Sequence, residues 1–475
     1  MRILLIKTCR LLTYEFTILS PPLGILSLAS CLRELRGDDV RVLDLRLYKK
    51  KQKQKNILSN TLREFKPQVT GLSTLTYEHI SMHETAKLIR DVLPNCIVIG
   101  GGPHPSMYPR RTLMDKNLDY IVLGEGEESL MELLAAISSR DDPRKILGIG
   151  GNFESEVFLN PTRPFIDNLN AYPIPAWDLY DPRPYQYAPR QTHAQDYLPY
   201  AGISTTRGCP YHCTFCHNLF GKKLRKRSID HVAKEFEMLN KQNIRSIEFY
   251  DDSFNLNRRH MYDILDLTKS MKQKMNLSFP NGLRVDLLTN DDLDRLKNSG
   301  TYYLSVAIET ASERLQKLIK KNLDLNLAKQ TINESVRRRI FTNAFFLLGL
   351  PTETLAEMKK TVDFACHSPL HSAMFFTLIP HPATEIGKAA GIDELSAPIE
   401  SWNYYMGVAS LSSEPPEVVN TIQRQAHRRF HLSLKRGIRV LRDLPSYRKL
   451  WFILRGLLHL SIDAFHSSAK YSHYD

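Results

Sequence analysis

The run Arg207-Gly208-Cys209-Pro210-Tyr211-His212-Cys213-Thr214-Phe215-Cys216 places three thiols within eight residues, at spacings of four and three. Thiols so spaced can converge on one centre, and no fourth cysteine stands beside them. Soft thiolates suit iron–sulfur chemistry, and three of them leave one iron of a cluster open to an outside ligand. Structural zinc is the competing reading. It wants a fourth Cys or His, and His212 and His217 are near enough in sequence to supply one.

Outward from the triplet, the fold is an alternation of strands and helices. An apolar strand at 201–205 leads into the thiols. Further strands recur near 246–250, 277–281, 303–308, 343–348 and 373–378, separated by helical patterns at 229–241, 258–272, 291–298 and 325–338. Six such units predict a partial (β/α)6 barrel over residues 199–392, with its chemistry at the strand carboxyl ends. Residues 1–140 alternate strands (2–6, 40–43, 69–73, 96–100, 120–123) with helices (24–35, 80–93, 127–137), which predicts an α/β, Rossmann-like parallel sheet. Ligands of such sheets sit beyond the strand carboxyl ends. The loops there are Ser73-Thr74-Leu75-Thr76, Gly100-Gly101-Gly102-Pro103-His104-Pro105 and Leu123-Gly124-Glu125-Gly126-Glu127. Residues 141–198, rich in Pro, Asp and Tyr, read as a linker without a core of its own. The charge runs 49–55 and 221–227 read as solvated loops.

The chain is 42% hydrophobic and 24% charged over 475 residues, enough for two or three globular domains. Cys9, Cys31, Cys96 and Cys366 are scattered, so the cysteines are no disulfide framework and fit a reducing cytoplasm. The opening residues lack a signal-peptide pattern, and no stretch reaches the ~18–20 apolar residues that span a bilayer. Residues 421–470, within the helical C-terminal region 393–475, hold 11 Lys and Arg against two acids, so most of the net charge of +13 sits in that stretch. The remaining body gives no reason to expect a nucleic-acid partner. Arg424, Arg428, Arg429, Lys435, Arg436, Arg439 and Arg442 alternate there with apolar residues, followed by Leu450-Trp451-Phe452-Ile453-Leu454. An amphipathic basic helix of this kind can lie in an anionic interface, at the inner membrane face, or pack its apolar side back on the barrel.

Polar groups recur at the barrel strand ends. Glu248 and Asp251, in Glu248-Phe249-Tyr250-Asp251-Asp252-Ser253-Phe254, are acceptors of the type an α-ammonium needs, though Asp251 and Asp252 also suit helix caps. Arg284, after Asn281-Gly282-Leu283, can meet a carboxylate bidentately. Glu309 can accept from ribose hydroxyls. Gly349-Leu350-Pro351-Thr352-Glu353 turns the chain over the same end.

These motifs, with Pro21-Pro22-Leu23-Gly24, Gly101-Gly102-Pro103-His104, Gly124-Glu125-Gly126-Glu127 and Ile308-Glu309-Thr310, resemble the cobalamin-binding branch of the radical SAM enzymes over residues 1 to about 390. That branch includes anaerobic magnesium-protoporphyrin ester cyclases, hopanoid methylases and class B methyltransferases. Thr352-Glu353 departs from the family's Gly-Glu. The resemblance implies a 4Fe–4S cluster on Cys209, Cys213 and Cys216. It puts S-adenosylmethionine (SAM) on the open iron among Phe215, Glu248, Asp251, Arg284 and Glu309. Cobalamin would lie over Ser73, Thr74, Thr76, Gly101, Gly102, His104, Gly124 and Glu125. No Asp-x-His-x-x-Gly run occurs in residues 1–140, so a histidine below the cobalt is not expected, with His104 the candidate neighbour.

By the same resemblance, reductive SAM cleavage yields a deoxyadenosyl radical that takes hydrogen from an unactivated carbon, and methylcobalamin supplies a methyl group. The expected enzyme methylates a small-molecule or lipid substrate and draws electrons from a flavodoxin- or ferredoxin-type donor. A radical cyclase or oxidoreductase that uses cobalamin without methyl transfer is the alternative, and a non-catalytic corrinoid- or zinc-binding module a distant third. Only Cys366 follows the triplet, so no auxiliary cluster is expected.

Overall fold

The computed structural model describes residues 1–9, 18–153, 156–217, 219–402 and 410–447. The front part is built on β1 (Arg2–Lys7), α1 (Leu23–Arg36), β2 (Asp39–Asp44), α2 (Lys51–Phe65), β3 (Val69–Ser73), α3 (His79–Val92), β4 (Ile97–Gly101), the short α4 (Pro103–Met107) and α5 (Pro109–Leu113), β5 (Tyr120–Val122) and α6 (Gly126–Ser139). Strands β1 to β5 are parallel, in the order β2-β1-β3-β4-β5. Ile3, Leu4, Leu5 and Ile6 are all buried because helices cover both faces of the sheet, which is why β1 is apolar without alternation.

Two expectations fail here, for identifiable reasons. The charge run 49–55 is solvated as expected but is no loop, since residues 51–65 form helix α2: Leu58, Leu62 and Phe65 recur at helical spacing and are buried, while the lysines face water. The segment 141–198 is not all linker. Strands β6 (Ile149–Phe153) and β7 (Glu156–Leu159) add antiparallel to β5 and extend the front sheet to seven strands. The rest of the segment is also packed. Trp177, Tyr180 and Tyr185 join the barrel's apolar core, and a short α7 (Arg183–Gln186) follows.

The barrel half runs β8 (Tyr200–Ile203), β9 (Thr206–Arg207), β10 (Arg225–Lys226), α8 (Ile229–Lys241), β11 (Ser246–Phe249), α9 (Arg258–Ser270), β12 (Asn276–Leu283), α10 (Asn290–Asn298), β13 (Thr301–Glu309), α11 (Glu313–Leu318), α12 (Leu325–Arg337), β14 (Phe341–Leu348), α13 (Leu355–His367), β15 (Ser372–Thr377) and α14 (Glu385–Ala389). Six strands pair in parallel in the order β15-β14-β13-β12-β11-β8, the open barrel anticipated. Helices α15 (Pro416–His431) and α16 (Leu434–Asp443) follow, and α15 lies on β15 with Gln423 donating to the Phe375 carbonyl at 2.7 Å. The apolar run at 450–454 lies outside the described residues. Among the described residues no helix is long and apolar enough to cross a membrane.

Candidate active site

The three thiols sit on the loop that β8 and β9 feed. Gly208 has φ +90°, and a Cβ there would stand 2.3 Å from the Lys223 carbonyl oxygen, so only glycine admits this turn. Asp251 and Asp252, just past β11, hold the entry to the loop. The Asp251 carboxylate accepts from the backbone N–H groups of Thr205 and Thr206 and from both threonine hydroxyls, at 2.6–3.2 Å. Asp252 accepts from the Gly208 N–H at 3.0 Å. On the far side, the Thr214 N–H donates to the Ile319 carbonyl and the Ile386 N–H to the Thr214 carbonyl. Phe215 packs against Leu315, Ile319 and Leu350. Cys209 and Cys213 are half-buried, Cys216 is exposed, and none of the three is disulfide-bonded. Burial pushes the Cys209 and Cys213 thiols up, and the Lys321 ammonium pulls the other way.

Several residues expected around SAM are engaged elsewhere. Glu248 is fully buried; its carboxylate lies 3.3 Å from the Arg190 guanidinium and accepts from the Tyr250 hydroxyl at 2.9 Å. Arg190 comes from the segment before the barrel and plugs its interior, also donating to Asp196 and to the Tyr302 hydroxyl. Glu248 therefore closes the barrel's core. Asp251, 2% exposed with its oxygens occupied by the threonines, is a loop anchor. Arg284 forms an ion pair with Asp286 at 2.7 Å, and its guanidinium lies 4.2 Å from the Tyr211 ring centroid. It positions the cluster loop, with no free fork for a carboxylate. Glu309 stays at the site. It ends β13 at φ +65° and pairs with Lys321 at 2.8 Å. Lys321, which sequence reasoning missed, acts on Cys213 as well as pairing with Glu309, and Arg284 fixes its carbonyl at 2.9 Å.

Thr352 explains its own departure from glycine: it takes φ +59°, the left-handed region, and Arg314 donates to both its hydroxyl and its carbonyl. One Glu353 oxygen accepts from the Gly349 and Leu350 N–H groups at 2.8 and 3.0 Å, while the other has no partner. Burial pushes the Glu353 carboxyl up to about 8.

A cleft of about 380 Å³ opens at the carboxyl ends of the front strands and is closed by the barrel half. From the front it is lined by Ser73, Gly101, Gly102, Gly124 and Glu125, all expected, and by Leu5, Gly71, Gly100 and Ser106. Ser204, Arg207, Phe220 and Tyr250 supply the opposite wall. Glycines keep the floor open. A Cβ on Gly71 would meet Leu5 at 2.8 Å, whereas a Cβ on Gly101 meets nothing nearer than 3.9 Å.

The other residues expected there do not line the cleft. Thr74 is buried and accepts from the Thr8 hydroxyl, and the Thr76 carbonyl is bonded to the His79 ring at 2.8 Å. His104 is fully buried behind the turn, stacked on Tyr108 with neither ring nitrogen hydrogen-bonded, and burial pushes it down to about 3. Glu125 lines the cleft but its carboxylate is taken. It accepts from Arg225 at 2.7 Å, from Arg207 at 3.0 Å and from the Ile166 N–H at 2.8 Å, and Arg207 also reaches Glu127 at 2.6 Å. Arg207 and Arg225 are register partners in the β9–β10 ribbon. This ionic clamp ties the loop after β5 to the strand that enters the thiol loop.

Residues 203–365 match the radical SAM superfamily and residues 10–134 the B12 binding domain. An uncharacterised methyltransferase of Pyrococcus horikoshii is 28% identical over 87% of this chain and 88% of its own. The anaerobic magnesium-protoporphyrin IX monomethyl ester cyclase of Cereibacter sphaeroides is 24% identical over 81% of this chain and 62% of its own. In fold, the chain superposes with a TM-score of 0.68 on the radical S-adenosylmethionine methyltransferase TsrM of Kitasatospora setae, at 22% identity, over 82% of this chain and 77% of that one.

The cofactors of such proteins are a 4Fe–4S cluster, SAM and cobalamin, and the residues present fit them. The donor set is three soft thiols on one loop. The glycine-floored cleft admits a bulky group against backbone. With a B12-binding domain followed by a radical SAM domain, and similarity to an archaeal methyltransferase over 87% of its length, the protein has the domain make-up of the cobalamin-binding radical SAM proteins, methyltransferases and ester cyclases among them.

Proposed function

We propose that the protein methylates an unactivated carbon of a small, lipophilic or secondary-metabolite substrate. One observation carries this reading: the wall of the glycine-floored cleft, to which we assign cobalamin, is supplied by Arg207, two residues before Cys209, and by Phe220 and Tyr250 of the barrel. The two reactive centres thus share one interface, as transfer of a methyl group to a carbon radical requires. When bound, the cluster supplies the electron that cleaves SAM, and cobalamin supplies the methyl group.

The chain's own residues do the positioning. Cys209, Cys213 and Cys216 hold the cluster, and Asp251, Asp252 and the Ile319 carbonyl fix their loop. Lys321 and Glu309, paired with each other beside the thiols, would exchange that pair for the carboxylate and ammonium of an amino-acid moiety. The Glu125 clamp sets the separation of cleft and thiol loop. We further assign the protein to the cytoplasm, with a flavodoxin- or ferredoxin-type electron donor and a peripheral membrane contact through the C-terminal region. Product analysis of the anaerobic, cobalamin-loaded enzyme tests the reaction. Methyl transfer yields S-adenosylhomocysteine together with deoxyadenosine, whereas deoxyadenosine alone would replace this reading with radical cyclisation or oxidation.

A further inference from the structure

Helix α16 carries its polarity inside out. At about 100° per residue, Leu434, Ile438 and Leu441 fall on one face and Arg436 and Asp443 on the opposite one. A surface helix ordinarily buries the apolar face, yet here the charged pair is buried. Arg436, 5% exposed, donates to the carbonyls of Phe430, Leu370, Cys366 and Ser368, and its guanidinium lies 3.5 Å from the Phe430 ring centroid. Asp443 is bonded to the His371 ring at 3.0 Å and accepts from Arg442. These contacts bolt the helix against α13 and the start of β15 and prevent it from rolling. Leu434, Ile438 and Leu441 are left 80%, 61% and 43% exposed, with Leu432 and Tyr447 exposed at either end. Scattered apolar residues on a surface need no explanation, but three on one helix face, with two more exposed beside its ends, do.

We infer that this ridge seats the protein on an anionic lipid surface. Lys435 and Arg439 flank it on one side, with Arg442 next to them paired to Asp443, the only acid of the helix, which is buried. A cation-edged apolar ridge complements headgroups above and acyl chains below. A second copy of the same face would set cations against cations. The chain beyond also keeps this composition, with Arg448, Lys449 and Arg455 among Trp451, Phe452, Leu457 and Leu458. The inference gives the peripheral contact proposed above a definite surface and is independent of the radical chemistry.

The test is flotation of the full chain, without detergent, with vesicles of phosphatidylcholine with and without phosphatidylglycerol. The wild type floats with the phosphatidylglycerol vesicles and is released by salt. Leu434→Glu combined with Ile438→Glu weakens binding at least about tenfold, since each leucine-sized side chain lost from the interface costs of order 1 kcal/mol or more. Both positions face water, so the variant folds, and an unchanged thermal melt checks this. A wild type that stays with the soluble fraction overturns the peripheral contact altogether. Equal flotation of both proteins overturns the role of α16 while leaving a contact through another segment. A soluble dimer that the double substitution splits also overturns the inference, in favour of a second copy.

Discussion

Glu125→Gln isolates the clamp between the two halves. The substitution keeps the shape and the acceptor for the Ile166 N–H but removes the charge that faces Arg225 and Arg207. The Glu125 and Arg225 side chains are 4% and 2% exposed, so water does not replace the lost partner. Leaving a buried charge uncompensated costs about 3–5 kcal/mol. Glu127 still holds Arg207, and the Ile166 and Phe220 carbonyls still accept from Arg225, so the lower end applies, about 3 kcal/mol. A two-domain chain does not melt as one unit, so the appropriate assay is native-state hydrogen exchange resolved by segment. Exchange over 206–209 and 225–227 should quicken roughly a hundredfold, with little change in β13 or β14. Glu64→Gln is the control: its pair with Arg41 is 71% and 49% exposed and is worth under about 1 kcal/mol. If Glu125→Gln leaves the ribbon's protection within about twofold, or Glu64→Gln disturbs it as much, the clamp does not hold the halves together.

Three further outcomes follow from the same geometry. Gly101→Leu should abolish cobalamin retention while the apoprotein melts normally, because a Cβ there has room and the longer side chain fills the cleft; absorbance of bound corrinoid after gel filtration reads this out. Cys213→Ala should lose the iron–sulfur absorbance and all deoxyadenosine formation yet keep corrinoid binding. For Glu353, the folded carboxyl holds its proton up to about pH 8, far above the ordinary glutamate range. Its contribution to stability is thus complete at low pH and lost as pH rises towards and through 8. Thermal melts from pH 5 to 8 should show Glu353→Gln gaining on the wild type as pH rises; a constant difference would place the carboxyl in contact with water.

Much of this architecture is written in local periodicity. Helices α8, α9, α10 and α12 and all six barrel strands lie within a few residues of where apolar spacing puts them, because each is covered by a single core. Helix α2 escaped notice since lysines crowd its first turns and its apolar residues begin only at Ile57. The β6–β7 hairpin was hidden by Gly150 and Gly151, which strand propensity disfavours; a Cβ on Gly151 would stand 2.4 Å from the Tyr120 ring.

At the site, spacing identified the thiols but not what each carboxylate faces. Glu248, Asp251, Arg284 and Glu125 all stand where the motifs placed them, yet each is already occupied by a partner, distant in sequence for all but Arg284. Only the fold reveals Arg190, Thr205, Asp286 and Arg225 as those partners. Lys321 was missed for the converse reason: one lysine in a basic loop carries no pattern until Glu309 is seen beside it.

The account stands on an iron left open for SAM at Cys209, Cys213 and Cys216. The direct measurement is electron paramagnetic resonance of the anaerobically reconstituted, reduced protein before and after SAM is added. A 4Fe–4S signal that changes on addition of SAM, and is absent in Cys213→Ala, is the predicted result. A signal indifferent to SAM, or thiols found on zinc with no signal at all, would contradict it.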